Sequence, residues 1–418
     1  MKRKKTGLLT ACLLIGLSAC ASPKYNAGSY VYIDITNPSE KSRADVPITL
    51  RMDSIVPLLR HYTNQRIGIF DGSRILPTQF DDMNRDGKAD EIAFLIDLKG
   101  HETKRLMARI VPPSEKIKNY EKEVYADLRH RKKLEDGSEE TRPDTAISSD
   151  KDDMYNKVWL HGILFESGPI AYRAYFNDKQ TIDIYGKYEN RLELPITQWH
   201  TTAKQLAEGY GDDVLLVGNS VGVGTFKGWD GTKALHTTKY GRRTQRLVAT
   251  GDLRNTVEIE LKDWEMQEQR FDARIRFTQY ARHRDVKVEV FLSPTSDGLT
   301  FCSGVQTFPE EYRVTPAEDN LVGCWGKGFP QKDTVKYSHK ETVGLGLAVP
   351  SSYSKGRCDD PLNRLILMSP KENKIEYWFT ACSIKEKKGY TSATEWFSYL
   401  NEWKEEVLHP VRISYRIK

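Results

Sequence analysis

Histidine, carboxylate and aromatic residues crowd into one stretch, 159–231, more densely than elsewhere in the 418 residues. It begins Trp159, Leu160, His161, Gly162 and continues through Glu166, Arg173, Tyr175, Asp183, Tyr185 and Lys187. Trp199 and His200 follow, then Glu208, Gly209, Tyr210, Gly211, Asp212 and Asp213. Sugars are recognised by this mixture: rings stack on apolar C–H faces while Asp, Arg, Asn and His bond the hydroxyls. His161 and His200 are the candidates to move a proton near neutral pH. Asp212 and Glu166 are candidates for the carboxylate pair of a glycosidase. Arg173, Tyr175, Tyr185, Lys187, Tyr210 and Trp229 are candidate substrate contacts. Arg173 or Lys187 would pair the carboxylate of a uronic acid. The same residues fit a plainer account, with aromatics in a sandwich core, acids in turns and each histidine bonded to backbone. Asp212 and Asp213, adjacent in a strand, point to opposite faces, so they are not themselves a pair.

Glycines at 218, 222, 224, 228 and 231 follow. Their spacing is not a dinucleotide fingerprint, and no strand–turn–helix unit surrounds them. They suit tight turns or close approach of a ligand. Neither a nucleophile elbow nor a paired-histidine zinc helix is present.

A second motif places oxygen side chains at alternate positions: Asp82, Asn84, Asp86, then Gly87 and Asp90. The pattern resembles the calcium loop of EF-hand and dockerin-like modules, where alternate oxygens wrap one cation and glycine permits the bend. Position twelve is Ala93, which lacks the bidentate carboxylate, although Asp90 or Glu91 could substitute. A structural calcium and an acidic turn capped by its own side chains both fit.

These residues need a β framework. Strand patterns run at 30–36, 46–52, 65–70, 91–97 and 104–111, separated by turn residues such as Asp71-Gly72 and Lys99-Gly100. They predict a small antiparallel sandwich over 28–112. From 113 to 153 charges crowd together and apolar residues thin out, which reads as a charged linker or loop. Strands resume and continue to about 380, predicting a large sandwich domain over 154–418. A helix follows, capped by Ser392, with Glu395 three residues on and Trp396, Leu400 and Trp403 on one face. The expected fold is mainly β: a small N-terminal antiparallel sandwich, then a large two-sheet β-supersandwich with a C-terminal helix.

The chain opens with Lys2, Arg3, Lys4 and Lys5, then an apolar run over 7–19 that is too short to span a bilayer. It ends Leu17, Ser18, Ala19, Cys20. Small residues before a cysteine suit a lipoprotein signal over 1–20, with the lipid on Cys20 as membrane anchor. No acidic cluster follows Cys20, so a cell-envelope protein facing the periplasm is expected. Cys302, Cys324, Cys358 and Cys382 remain, none spaced for zinc; two disulfides or buried free thiols are both open. The net charge of +5 is spread along the chain, with no basic block of the kind that binds nucleic acid.

The segment Asp82–Asp90 with the following Glu91, the strand pair 163–176, the run 208–213 with its glycines, and 228–231 together resemble an uncharacterised family of exported bacterial proteins. That family is common in Bacteroidota and often encoded beside enzymes that degrade pectin and related polysaccharides. The resemblance covers most of the chain and implies a setting, not a mechanism. Where the family carries a tryptophan–glutamate–asparagine motif, this chain has Trp159, Leu160 and His161. The large sandwich is also similar to galactose-mutarotase-like folds of sugar hydrolases and lyases. The implied function is action on an oligosaccharide, cleaving or remodelling a sugar. The alternative is a non-catalytic glycan-binding or assembly lipoprotein.

Overall fold

The computed structural model describes residues 30–63, 65–112, 120–150, 154–293, 298–314, 320–335 and 338–417. The export signal expected over 1–20, with Cys20, lies outside the described residues. The chain is mainly β, with antiparallel sheets throughout, and among the described residues no helix is long and apolar enough to cross a membrane.

Alternation decides the small unit. In Tyr30–Thr36 the side chains of Val31, Ile33 and Ile35 point inward and are fully buried. They meet Ile48, Leu50, Ile69 and Phe94 in one core between a five-stranded and a three-stranded sheet. The helix Ala393–Leu408 forms where its cap and apolar face place it, with Trp396, Leu400 and Trp403 buried. The chain then turns back. Arg412–Ile417 pairs antiparallel with Tyr30–Thr36, so the last strand closes the first sheet.

The stretch 113–153 corrects the linker expectation. Its described part holds four strands. Val124–Asp127 pairs with Gly162–Ser167, and Ala146–Ser149 edges a nine-stranded sheet. Arg129–Lys133 and Glu139–Pro143 form a hairpin. Edge strands and an exposed hairpin need few apolar residues and tolerate charge. Val124, Leu128 and Ile147 supply the buried anchors.

In the large unit the nine-stranded sheet faces two five-stranded sheets. All three contribute to one core that includes Phe165, Tyr172, Ile184, Phe277, Phe301 and Tyr377. One five-stranded sheet carries the candidate residues. Its order is Asp212–Asp213, Ile182–Gly186, Ala171–Tyr175, Gly162–Ser167 and Val124–Asp127. Tyr172, Ala174, Ile182 and Ile184 point into the core. Period two therefore sends Arg173, Tyr175, Asp183 and Tyr185 to the opposite face. Trp199 and Leu194 cover part of that face, packed with Leu164 and Tyr185.

Candidate active site

Arg173 and Asp183 are direct cross-strand partners, and Asp213 lies one strand beyond, opposite Tyr185. One guanidinium nitrogen of Arg173, Nη2, lies 2.5 Å from Asp183 Oδ2 and 3.5 Å from Asp213 Oδ2. Tyr175 Oη donates to Asp183 Oδ2 at 2.9 Å, and Gln331 Nε2 donates to Asp213 Oδ2 at 2.7 Å. The guanidinium sits over two rings, 4.5 Å from the centroid of Tyr175 and 4.4 Å from that of Trp199. Asp183, Asp213, Tyr175, Gln331 and Tyr155 line a cavity of about 400 Å³.

Strained backbone supplies two of the contacts to Arg173. Leu160 (φ 53°), His161 (φ 65°), Gln198 (φ 55°) and Trp199 (φ 88°) are left-handed without being glycine. Such residues cost roughly 1–3 kcal/mol each and persist where surrounding structure enforces them, often at functional sites. The first pair aims the carbonyl of Leu160 at Arg173 Nη1, 3.4 Å away. The second pair lays the Trp199 ring against the guanidinium.

Burial pushes the Asp213 carboxyl well above the usual carboxylate range, and the neighbouring Asp183 carboxylate raises it further. Asp183 is also raised, again by burial first, although Arg173 opposes the shift. Two carboxyls on one cation cannot both ionise freely, so the pair keeps a proton to a higher pH than a free aspartate would. One acid and one base can therefore face the same cavity. Burial also pulls His161 down from its ordinary value. Its Nδ1 lies 2.6 Å from the carbonyl of Tyr155, which can only accept, so Nδ1 carries the hydrogen and Nε2 is left as an acceptor. The His161 ring stacks on Tyr155, and Tyr155 stacks on Tyr175 at the cavity wall.

The other candidates fall elsewhere. Glu166 is fully buried, 2.5 Å from Lys187 Nζ, and accepts the backbone N–H groups of Glu193 and Leu194. Lys187 is equally buried and donates to the carbonyls of Ser167 and Arg191. This pair locks the sheet to the segment above it and does not line the Asp183–Asp213 cavity. Lys187→Met is therefore expected to cost about 3–5 kcal/mol, as breaking one side of a buried pair does, read by urea denaturation. A loss under about 1 kcal/mol would contradict the structural role.

Tyr185 is buried with its hydroxyl on the carbonyl of Gly211, and Trp229 packs against Val221, Cys302 and Leu365. Both are core residues and not sugar platforms. Tyr210 lies under the Arg191 guanidinium and His200 is exposed. Asp212 takes the opposite face from Asp213, as alternation requires, and its Oδ1 accepts the Asp213 amide. The structure thus brings Arg173 and Tyr175 together with Asp183 and Asp213, sets His161 behind Tyr155, and places Glu166 and Asp212 away from that cavity. A position in an alternating strand was the signal for Asp183, whereas Asp213 sits in a two-residue edge strand that local pattern barely marks. Gln331 reaches Asp213 from a loop more than a hundred residues away in sequence, and nothing local marks it.

The acidic loop is closed on its own backbone. Asp82 accepts the amides of Arg85, Asp86 and Gly87, and Asp90 accepts those of Met83 and Asn84. Asn84 and Asp86 accept the amides two residues on. Among the described residues no three His, Cys, Asp or Glu side chains stand where they could hold a metal ion. These bonds fit an acidic turn capped by its own side chains. On that reading calcium leaves the melting temperature unchanged relative to EDTA; a rise of several degrees would support a structural calcium. None of Cys302, Cys324, Cys358 and Cys382 is paired, and all but Cys358 are buried.

The fold and site define a class: a β-supersandwich protein with a paired-aspartate cavity on one sheet face. The chain belongs to the DUF4861 family, a domain of unknown function, whose model matches residues 35–413. No curated protein matches it. Among solved structures it is similar to a protein in the glycosyl hydrolase family 38 from Enterococcus faecalis, with TM-score 0.43 and 7% identity over 93% of this chain and 47% of that one. It is also similar to an alpha-mannosidase from the same species, with TM-score 0.42 and 8% identity over 93% of this chain and 46% of the other. The chain spans about half the length of these two proteins.

Proposed function

We propose that this chain is a lipid-anchored envelope protein that cleaves an oligosaccharide at the cavity walled by Asp183 and Asp213. The observation that carries the reading is the pair of buried carboxyls sharing one guanidinium nitrogen at the wall of a cavity. Asp213, the more strongly raised of the two, acts as acid and gives its proton to the glycosidic oxygen as the C–O bond breaks. Asp183, whose ionised form Arg173 and Tyr175 favour, faces the positive charge that develops on the sugar ring. Water then adds its hydroxyl to the anomeric carbon, and its other proton restores Asp213.

Lys179 and Lys332 also line the cavity. They take over the role expected of Lys187 and favour a sugar bearing a carboxylate, such as the uronic acids of pectin-like glycans. Non-catalytic glycan binding is the second reading, favoured by the hydrogen bonds that already engage both aspartates. Incubation with uronate-containing and neutral oligosaccharides, followed by mass detection of products, separates the two. Product from one glycan supports cleavage; a thermal shift without product supports binding. The anchor rests on the residues around Cys20. Cys20→Ala is expected to move the protein from the membrane fraction to the soluble one, and an unchanged distribution would sink that part of the reading.

A further inference from the structure

A larger cavity lies on the far side of the large unit, where the small unit leans on the outer face of the nine-stranded sheet. It holds about 850 Å³. Ligand clefts occupy roughly 300–1,000 Å³ and gather at domain junctions. One wall is the sheet. Ile259 and Ile275 point to the core, so alternation turns Glu258, Glu260, Arg274 and Arg276 outward. Arg246 Nη2 lies 3.1 Å from Glu260, and Arg276 Nε lies 2.8 Å from Glu258. The other wall is the loop over 83–91. Arg85, left-handed at φ 66°, spans the cleft and donates to the carbonyl of Leu247 at 2.5 Å. Beside that contact the strand pairing slips between Leu247 and Ala249, a bulge that turns Val248 into the cleft.

One buried polar atom there lacks a partner: Arg246 Nε has no acceptor. Buried polar atoms are normally bonded, so it marks a donor with unused capacity. Glu258 is 4% exposed and meets Arg276 and Arg274 through Oε1. Around them the charges alternate in sign, as in Arg246 with Glu260 and Arg276 with Glu258. A balanced wall suits neither a polyanion nor a polycation, and one this polar does not suit an apolar ligand. Planar guanidinium and carboxylate groups bond neighbouring hydroxyls in pairs, and the half-buried Tyr62 offers a ring for C–H faces.

We propose that this cleft is a second glycan site, which binds a segment of a neutral oligosaccharide without cleaving it. It stands apart from the Asp183–Asp213 cavity and does not depend on the reading of that cavity. The test is calorimetric titration of the full chain with neutral gluco-, galacto-, manno- and arabino-oligosaccharides, alongside oligogalacturonate. One neutral oligosaccharide is expected to bind, and Glu258→Gln and Arg246→Gln are each expected to weaken it about tenfold. Asp213→Asn leaves that affinity in place. Amide exchange over 83–91 and 242–250 slows on binding. The proposal is overturned if no neutral oligosaccharide binds, if both cleft variants bind as the parent does, or if only oligogalacturonate titrates. Should Glu258→Gln fail to fold, Arg246→Gln and the exchange footprint decide the matter.

Discussion

Asp213→Asn is expected to lower glycan turnover by about 100-fold or more while making the protein more stable at neutral pH. The first effect is the loss of a positioned acid, worth typically 10²–10⁴ in rate. The second follows from the direction of the pKa shift. Burial raises the folded-state pKa of Asp213, so the folded chain holds the proton more tightly than the unfolded chain does. The carboxyl is therefore tolerated best below the unfolded value near 4, and stability falls as pH rises from there toward the folded value. Each pH unit in that window removes about 1.4 kcal/mol. Asparagine keeps the shape and removes the titration. The variant is expected to match the parent in stability near pH 3 and to exceed it increasingly above pH 4. Urea denaturation across pH reads this directly, and a variant less stable than the parent at pH 7 would contradict the assigned burial effect.

Arg173→Met is expected to cost about 3–5 kcal/mol, because it strands two buried carboxyls without their cation. Arg173 is 2% exposed and bonds both aspartates, Tyr175 and the carbonyl of Leu160. Arg173→Lys is expected to recover only part of the loss. An ammonium cannot reach the Leu160 carbonyl with a second nitrogen or lie flat against Tyr175 and Trp199 as the guanidinium does. Adding Asp213→Asn to Arg173→Met is expected to restore part of the stability, since it removes one of the stranded charges. Additive losses in that double-mutant cycle would show that Arg173 and Asp213 do not interact.

What the sequence disclosed follows from range. Strands with strict alternation, such as 30–36 and 171–175, announced both themselves and their inward faces. The helix at 393–408 was marked by Ser392, Glu395 and its tryptophans. Local patterns missed what depends on partners. The strands of 124–149 sit on edges and carry charge, so composition resembled a linker. Arg412–Ile417 is short and follows a helix, and only its pairing with the first strand gives it a place.

The site shows the same limit. Residue types pointed to the stretch that holds Asp183 and Asp213, and alternation separated Asp212 from Asp213. Which acids were buried against a cation and which were locked into structure could not be read from types. Glu166 and Lys187 looked like ligand groups because charged residues are mostly exposed, and here they satisfy each other inside the protein. Gln331 joins the site through tertiary folding alone.

Whether the Asp183–Asp213 cavity acts on a glycan is decided by product formation from an oligosaccharide panel by the parent chain and by Asp213→Asn, with folding of both checked by thermal melting. A new product is expected with the parent and almost none with the folded variant. Equal product from both would show that the chemistry lies elsewhere.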